Sequence, residues 1–279
     1  MEIPARAVEN HRVAPDTHVI RQIFGEGLGP VAVFVNSMVI TGSEPVIVDC
    51  GPAITRDLWM EHAFSVVDPA DVRWIYLSHD DGDHTGNLAE VLDLCPRATL
   101  VTTQFMVERI ADRMLLPMDR MRWVNDGERF TAGDRVLAAV TPPTFDSPTT
   151  RGLFDVATGV YWASDSFSAP IVDEIHTAAE LDPMFYREGF LQFQALVSPW
   201  LQWTDGARYQ THLDRIRGLD ASSIVSAHGP VVTGDERSTA FDLLAELPGR
   251  PPLALPGQAE LEAAVAAMAE AAGPSVVAA

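Results

Sequence analysis

The sequence predicts a layered α/β protein with helices covering the outer faces of packed sheets. Three observations predict it. Apolar strand-like runs and helically spaced segments follow one another as ββα, βα, βα, then a β-rich block, a helical stretch and a final βα. The 279 residues are 47% hydrophobic and 21% charged, which is enough apolar material for a sizeable core. Residues able to bind a metal also stand just after apolar runs in three separate places, at the rigid strand-to-loop junctions that such a fold provides.

Taken in order, residues 31–41 and 45–51 read as two strands joined at Gly42, Ser43 and Glu44. Residues 54–67 have apolar positions at helical spacing, and residues 72–78 form a short apolar strand. A helix over 86–96 stops at Pro96, followed by a strand over 98–103 and a helix over 104–115. Three short strands over 121–125, 128–132 and 135–141 make the β-rich block. Residues 153–164 read as a hairpin turning at Thr158 and Gly159. The stretch from Val172 to about Leu219 is mostly helical, residues 222–230 are a strand ending in a histidine, and 235–247 a helix. The first strand read from the sequence is the one at residue 31. Residues 1–247 are read as one domain, and 248–279 as a Pro-rich linker with an Ala-rich amphipathic helix.

The formal net charge is −20, from 39 acidic and 19 basic side chains. Binding a polyanion needs Lys and Arg to displace counterions, so no nucleic acid is expected as a partner. Nor does an acidic surface attract anionic lipid, and no run approaches a membrane span, so no membrane is expected. Cys50 and Cys95 are too few for a disulfide framework. The N-terminus has no signal-like apolar run, and the expectation is a cytoplasmic protein.

Chemistry concentrates in the stretch His79-Asp80-Asp81-Gly82-Asp83-His84. In an extended loop alternate residues share a side, so 79, 81 and 83 converge and His84 reaches in from the helix that follows. Gly82 is read as relaxing a tight loop. Imidazole and carboxylate are ligands for first-row metals, and a single ion needs three or four, so this surplus implies two ions. An acidic surface loop with incidental histidines is the plainer account. It does not explain why Asp165 and His228 also follow apolar strands.

The pattern H-x-D-x-D-H with Asp165 and His228 resembles the metallo-β-lactamase superfamily over about residues 17–247. That resemblance implies a four-layer αββα sandwich and an Asp49 that supports the metal loop without binding metal. The superfamily's hydrolases usually read H-x-H-x-D-H. An acidic residue at Asp81 looks like the flavodiiron and oxygen-binding di-iron branch, and residues 163–199 are similar to the stretch after that branch's bridging Asp. The family expects a further ligand, usually His, between the motif and that Asp. No His lies between His84 and His176, and Asp146 is the candidate, either as a ligand or as a turn residue before Ser147-Pro148. The implied set is His79, Asp81 and Asp146 at one site, Asp83, His84 and His228 at the other, and Asp165 bridging both. Asp165 and Asp83 would be the residues closest to the reaction.

The resemblance implies two iron ions, with manganese or zinc as alternatives. Oxygen-rich ligation favours iron or manganese over zinc. The implied function is an oxidoreductase, oxygenase or O2 sensor whose partner is O2, NO or a small-molecule substrate, with a separate protein as the expected electron donor. No flavin is expected on this chain, and residues 24–30 mimic a dinucleotide fingerprint only superficially. A homodimer is the family's habit. The alternative is a binuclear hydrolase of lactones, thioesters or phosphoesters using a metal-activated hydroxide. His11, His18, His62, His176 and His212 fall outside the set, with His176 of interest for following Asp165 closely. Trp162, Trp200 and Trp203 are read as pocket wall or core.

Overall fold

The computed structural model describes residues 3–271. A seven-stranded sheet runs in chain order: β1 (Ala5–Ala14), β2 (Thr17–Phe24), β3 (Val33–Ile40), β4 (Val46–Val48), β5 (Trp74–Tyr76), β6 (Thr99–Thr102) and β7 (Met121–Trp123). The second sheet has six strands in the order β13-β12-β11-β10-β9-β8. Their ranges are β8 (Arg129–Ala132), β9 (Arg135–Val140), β10 (Gly152–Asp155), β11 (Val160–Trp162), β12 (Ser223–Val225) and β13 (Val232–Thr233).

Helices α1 (Arg56–Phe64), α2 (Gly82–Thr85), α3 (Leu88–Leu94) and α4 (Gln104–Ile110) belong to the first half. Helices α5 (Pro183–Val197), α6 (Gly206–Arg217) and α7 (Glu236–Glu246) belong to the second. Three apolar clusters separate the layers. Trp59, Val91 and Met106 from helices α1, α3 and α4 pack on Ile20, Val39 and Ile75 of the first sheet. Met38, Val48 and Tyr76 meet Leu137, Leu153 and Trp162 between the sheets. Phe190, Leu213 and Phe241 cover the outer face of the second sheet against Tyr161 and Ile224. The result is the αββα sandwich.

Strands β4, β5 and β6 pair in parallel, as do β11 and β12. They are short and apolar on both faces because both faces are covered. Parallel neighbours finish at the same edge of a sheet, and the loops after them form a crevice there. Asn36 of β3 stitches the two edges together: its side-chain amide donates to the Ser226 and Gly229 carbonyls at 2.8 and 3.0 Å. Tyr76 donates its hydroxyl to the Gly152 carbonyl at 3.0 Å. Helices α4, α5 and α6 start at caps the sequence supplies, with Thr103, Asp182 and Asp205 accepting from the Met106, Phe185 and Arg208 N–H groups.

Two expectations need correction. The hairpin β1–β2 precedes the first strand anticipated, because it alternates charged and apolar residues and buries Arg21 and Gln22. Gly82 is the first residue of α2, has no positive φ, and a side chain there would meet open space, so no tight loop demands glycine. The backbone freedom is needed at Gly51 instead, where φ is +66° and a Cβ would lie 2.2 Å from the Trp59 ring.

The Pro-rich segment lines a cavity with Leu196, Pro199, Leu201 and Leu247, and α8 (Gln258–Ala271) follows it. Among the described residues no helix is long and apolar enough to cross a membrane. Cys50 and Cys95 are free and buried.

Candidate metal centre

Strand β5 ends at Tyr76 and the chain turns over Ser78 into His79, so the side chain enters the crevice from the first sheet. Strand β11 delivers Asp165 and β12 delivers His228 from the second. Ala163 and Ala227 extend that pairing by donating to the Val225 and Ser164 carbonyls, both at 2.8 Å.

All seven candidates meet there. His79 Nε2 lies 3.8 Å from an oxygen of Asp81, 3.8 Å from one of Asp146 and 3.5 Å from Asp165 Oδ2. His84 Nε2 lies 3.1 Å from Asp165 Oδ1 and 3.5 Å from Asp83 Oδ2. His228 Nε2 lies 3.2 Å from that same Asp83 oxygen and 3.4 Å from Asp165 Oδ1. The two oxygens of Asp165 thus face two different groups. Within each of three groups the ligand atoms lie within 4.8 Å of one another: His79, His84 and Asp165; Asp83, His84 and His228; His79, Asp81 and Asp146.

The imidazoles are held from behind. His84 Nδ1 is 2.8 Å from Asp49 Oδ2, His79 Nδ1 is 3.1 Å from Ser164 Oγ, and His228 Nδ1 is 3.1 Å from the Phe34 carbonyl. A bond at Nδ1 sets the tautomer and turns Nε2 toward the centre. Asp49 is itself fixed by the Ser78 N–H and hydroxyl at 2.7 and 2.6 Å and by Trp162 Nε1 at 3.1 Å. It supports the loop, as the resemblance implied.

His79 Nε2, His84 Nε2 and Asp165 Oδ1 are buried with no hydrogen-bond partner. Buried polar atoms are ordinarily paired, so orphans converging on one point fit a cation between them. The chemistry of the set fits as well, since imidazole and carboxylate suit iron, manganese or zinc. Burial opposes ionisation of Asp165, but His79, His228 and His84 outweigh it and hold the carboxyl well below the usual range. For Asp83, burial is outweighed by His84 and His228, and its carboxyl is lowered too. Burial would lower His84, yet Asp83, Asp165 and Asp49 raise it well above its ordinary value. His228 is likewise raised, to about 10, by Asp165 and Asp83 against its burial. Asp146 is raised by burial and by the Asp165 and Asp81 charges, against the pull of His79.

Other anticipated residues lie elsewhere. His176 stands edge-on to His11 at 4.9 Å between ring centroids, outside the centre. Trp162 is core, and Trp200 donates to the Phe145 carbonyl at 2.8 Å, beside Asp146. Trp203 is 79% exposed and lies outside the core. Asp80, given no role from the sequence, is 1% exposed and accepts four hydrogen bonds through its side chain and carbonyl. Burial opposes its ionisation, but the Ser147, Arg109 and Thr149 bonds lower its carboxyl to about 2.

An αββα sandwich with His and Asp side chains gathered at the strand ends of both sheets defines a protein of the metallo-β-lactamase superfamily. The sequence profile of the ODP family beta lactamase matches residues 33–229. The chain belongs to that family, the metallo-β-lactamase-like core of flavodiiron proteins.

The type A flavoprotein fprA of Rhodobacter capsulatus is 27% identical over 208 residues, covering 72% of this chain and 46% of that protein. The flavo-diiron protein FprA2 of Clostridium acetobutylicum is 22% identical over 219 residues, covering 71% and 49%. The chain spans less than half the length of these relatives. Among solved structures, the rubredoxin oxygen:oxidoreductase of Desulfovibrio gigas superposes with a TM-score of 0.74 at 14% identity, over 88% of this chain and 63% of that one. The flavodiiron protein of Giardia intestinalis gives 0.75 at 17%, over 87% and 60%. Those likenesses show the fold.

Proposed function

We propose that this protein is a binuclear non-haem iron oxidoreductase that binds or reduces O2 or NO with electrons from a separate donor. The observation that carries the reading is Asp165, whose two oxygens face separate groups, each completed by His and carboxylate. In this reading His79, Asp81 and Asp146 would hold one ion, Asp83, His84 and His228 the other, and Asp165 would serve both. Four carboxylates balance two divalent charges, and this oxygen-rich set suits iron or manganese better than zinc. The chemistry a pair of iron(II) ions supplies when bound is electron donation to a diatomic oxidant.

The residues of the chain do the rest. Asp49, Ser164 and the Phe34 carbonyl hold each imidazole in the tautomer that presents Nε2. Asp83 and His228 border an open cavity of about 340 Å³ walled by Phe24, Val33, Val35 and Phe193. An apolar wall receives a small neutral molecule and offers no counter-charge to a phosphoester. Asp83 stands at this mouth and would orient what enters. The wall, together with Asp81 where the hydrolases carry His, weighs against hydrolysis.

Residues 1–247 form the functional domain in this reading, and 248–279 an appended linker and helix. Cytoplasmic location and pairing with a second copy of the chain belong to the same proposal. The test is to reduce the iron-loaded protein without oxygen and mix it rapidly with O2 or NO. Optical change and gas consumption under donor turnover support the proposal. An inert protein that cleaves lactones or thioesters overturns it.

A further inference from the structure

We propose that Asp80 is a positioning residue that clamps Asp146 into the half of the centre around His79. The inference rests on the reading of Asp146 as a ligand and goes beyond it, because it names what puts a loop carboxylate there.

Asp80 sits between His79 and Asp81, and its side chain turns away from them. Its Oδ1 accepts from Ser147 Oγ at 2.6 Å and Thr149 Oγ1 at 2.8 Å, and its Oδ2 accepts from Arg109 Nε at 2.7 Å. The two hydroxyls also face one another at 2.8 Å, and Arg151 N donates to the Ser78 carbonyl at 2.8 Å. The segment after Asp146 is therefore tied to the segment carrying His79 at successive points. The residue before Asp146 is fixed independently. Phe145 N donates to Ser198 Oγ at 2.8 Å, and the Phe145 carbonyl accepts from Ser198 Oγ at 3.0 Å and Trp200 Nε1 at 2.8 Å.

Asp146 is thus a single residue held between two clamps. Its own side chain, 33% exposed, makes no hydrogen bond to either clamp, and its Oδ1 lies 3.8 Å from His79 Nε2. A carboxylate is shorter than an imidazole, so its backbone must be held close for it to reach the centre. Asp80 is suited to hold it because its charge is matched by Arg109 and its other oxygen is free to take two neutral donors. Groups that orient a ligand from behind typically change metal affinity by about 10–100-fold when removed.

The test uses the full-length metal-free protein titrated with cobalt(II) against a chelator, following the visible absorption of each bound ion. Thr149→Val removes one hydroxyl without changing shape, Asp80→Asn removes the charge, and Thr149→Ser keeps the hydroxyl. The expected result is that Asp80→Asn weakens one of two bound cobalt ions by about 10–100-fold. Thr149→Val should weaken the same ion less, Thr149→Ser should leave it unchanged, and the other ion should keep its affinity and spectrum. Combining Asp80→Asn with Asp146→Ala should add no loss beyond Asp146→Ala alone, because residues acting through one another are not additive. If Asp146→Ala weakens one ion while Asp80→Asn and Thr149→Val leave both intact, the clamp is wrong and the ligand reading survives. If Asp146→Ala itself changes nothing, the ligand reading fails. Should Asp80→Asn not fold, the Thr149 pair decides alone: equal affinity in Thr149→Val and Thr149→Ser overturns the clamp.

Discussion

Around Asp165, the half of the centre holding His84 and His228 is set in the core, whereas the half holding Asp81 and Asp146 stands on loops. His84 is 1% exposed and braced by Asp49, which is itself held by Ser78 and Trp162. On the other side only His79 is buried, and the Asp81 and Asp146 side chains are 50% and 33% exposed, whereas the first half has one such open carboxylate, Asp83 at 33%. The first half is preorganised by the same packing that joins the two sheets. The second gathers carboxylates that repel one another, and Asp146 is raised by its burial first and then by the Asp165 and Asp81 charges. A cation would relieve that repulsion, so ordering of the loop half should depend on metal far more than ordering of the core half.

The largest effect that could break this contrast comes from the residue both halves share. Asp165→Ala should take metal content from about two ions per chain to near zero by elemental analysis, since both groups lose a carboxylate. Retention of a full complement would separate the halves from Asp165. Asp49→Asn should weaken the core half alone, by about 10–100-fold in metal affinity. It should also lower the stability of the metal-free protein by about 1–3 kcal/mol in denaturant titration, because buried donors lose a charged acceptor. Asp146→Ala should weaken only the loop half and leave metal-free stability within about 0.5 kcal/mol, as its side chain makes no internal hydrogen bond that folding relies on. A matching loss of stability in both variants would erase the distinction.

A smaller effect is expected with pH. His84 and His228 are raised in the metal-free protein, His228 to about 10, so both carry a proton near neutrality. An ion must displace those protons, and affinity at the core half should climb with pH by up to about tenfold per unit for each proton released. Calorimetry in buffers of different ionisation enthalpy reads that release directly. Metal-free stability should move the opposite way. A raised group stabilises fully below its unfolded value of 6.5, and that stability is lost as pH rises toward about 10. A metal-free protein equally stable across that window would contradict the proposed charge balance.

The residues at strand ends were the most legible in the sequence, whichever half they serve. His79, Asp165 and His228 each follow an apolar strand, and that placement alone foretold that they would meet. Asp146 was reached through resemblance and separation along the chain, because nothing in residues 141–150 distinguishes a ligand from a turn. Asp80 was invisible. It is chemically the same as Asp81 and Asp83, and only the direction of its side chain, set by the backbone, sends it to Ser147 and Arg109. The hairpin β1–β2 escaped notice because Arg21 looks like a surface residue. It is buried because the Glu9 and Ile175 carbonyls accept its guanidinium donors. Trp203 misled in the other direction, since a large aromatic promises burial and this one stands in solvent.

The central claim is a two-ion iron centre spanned by Asp165. Its most direct test is elemental analysis of protein expressed with iron, manganese and zinc all available. The account predicts about two irons per chain. One metal per chain, or two zincs, would contradict it.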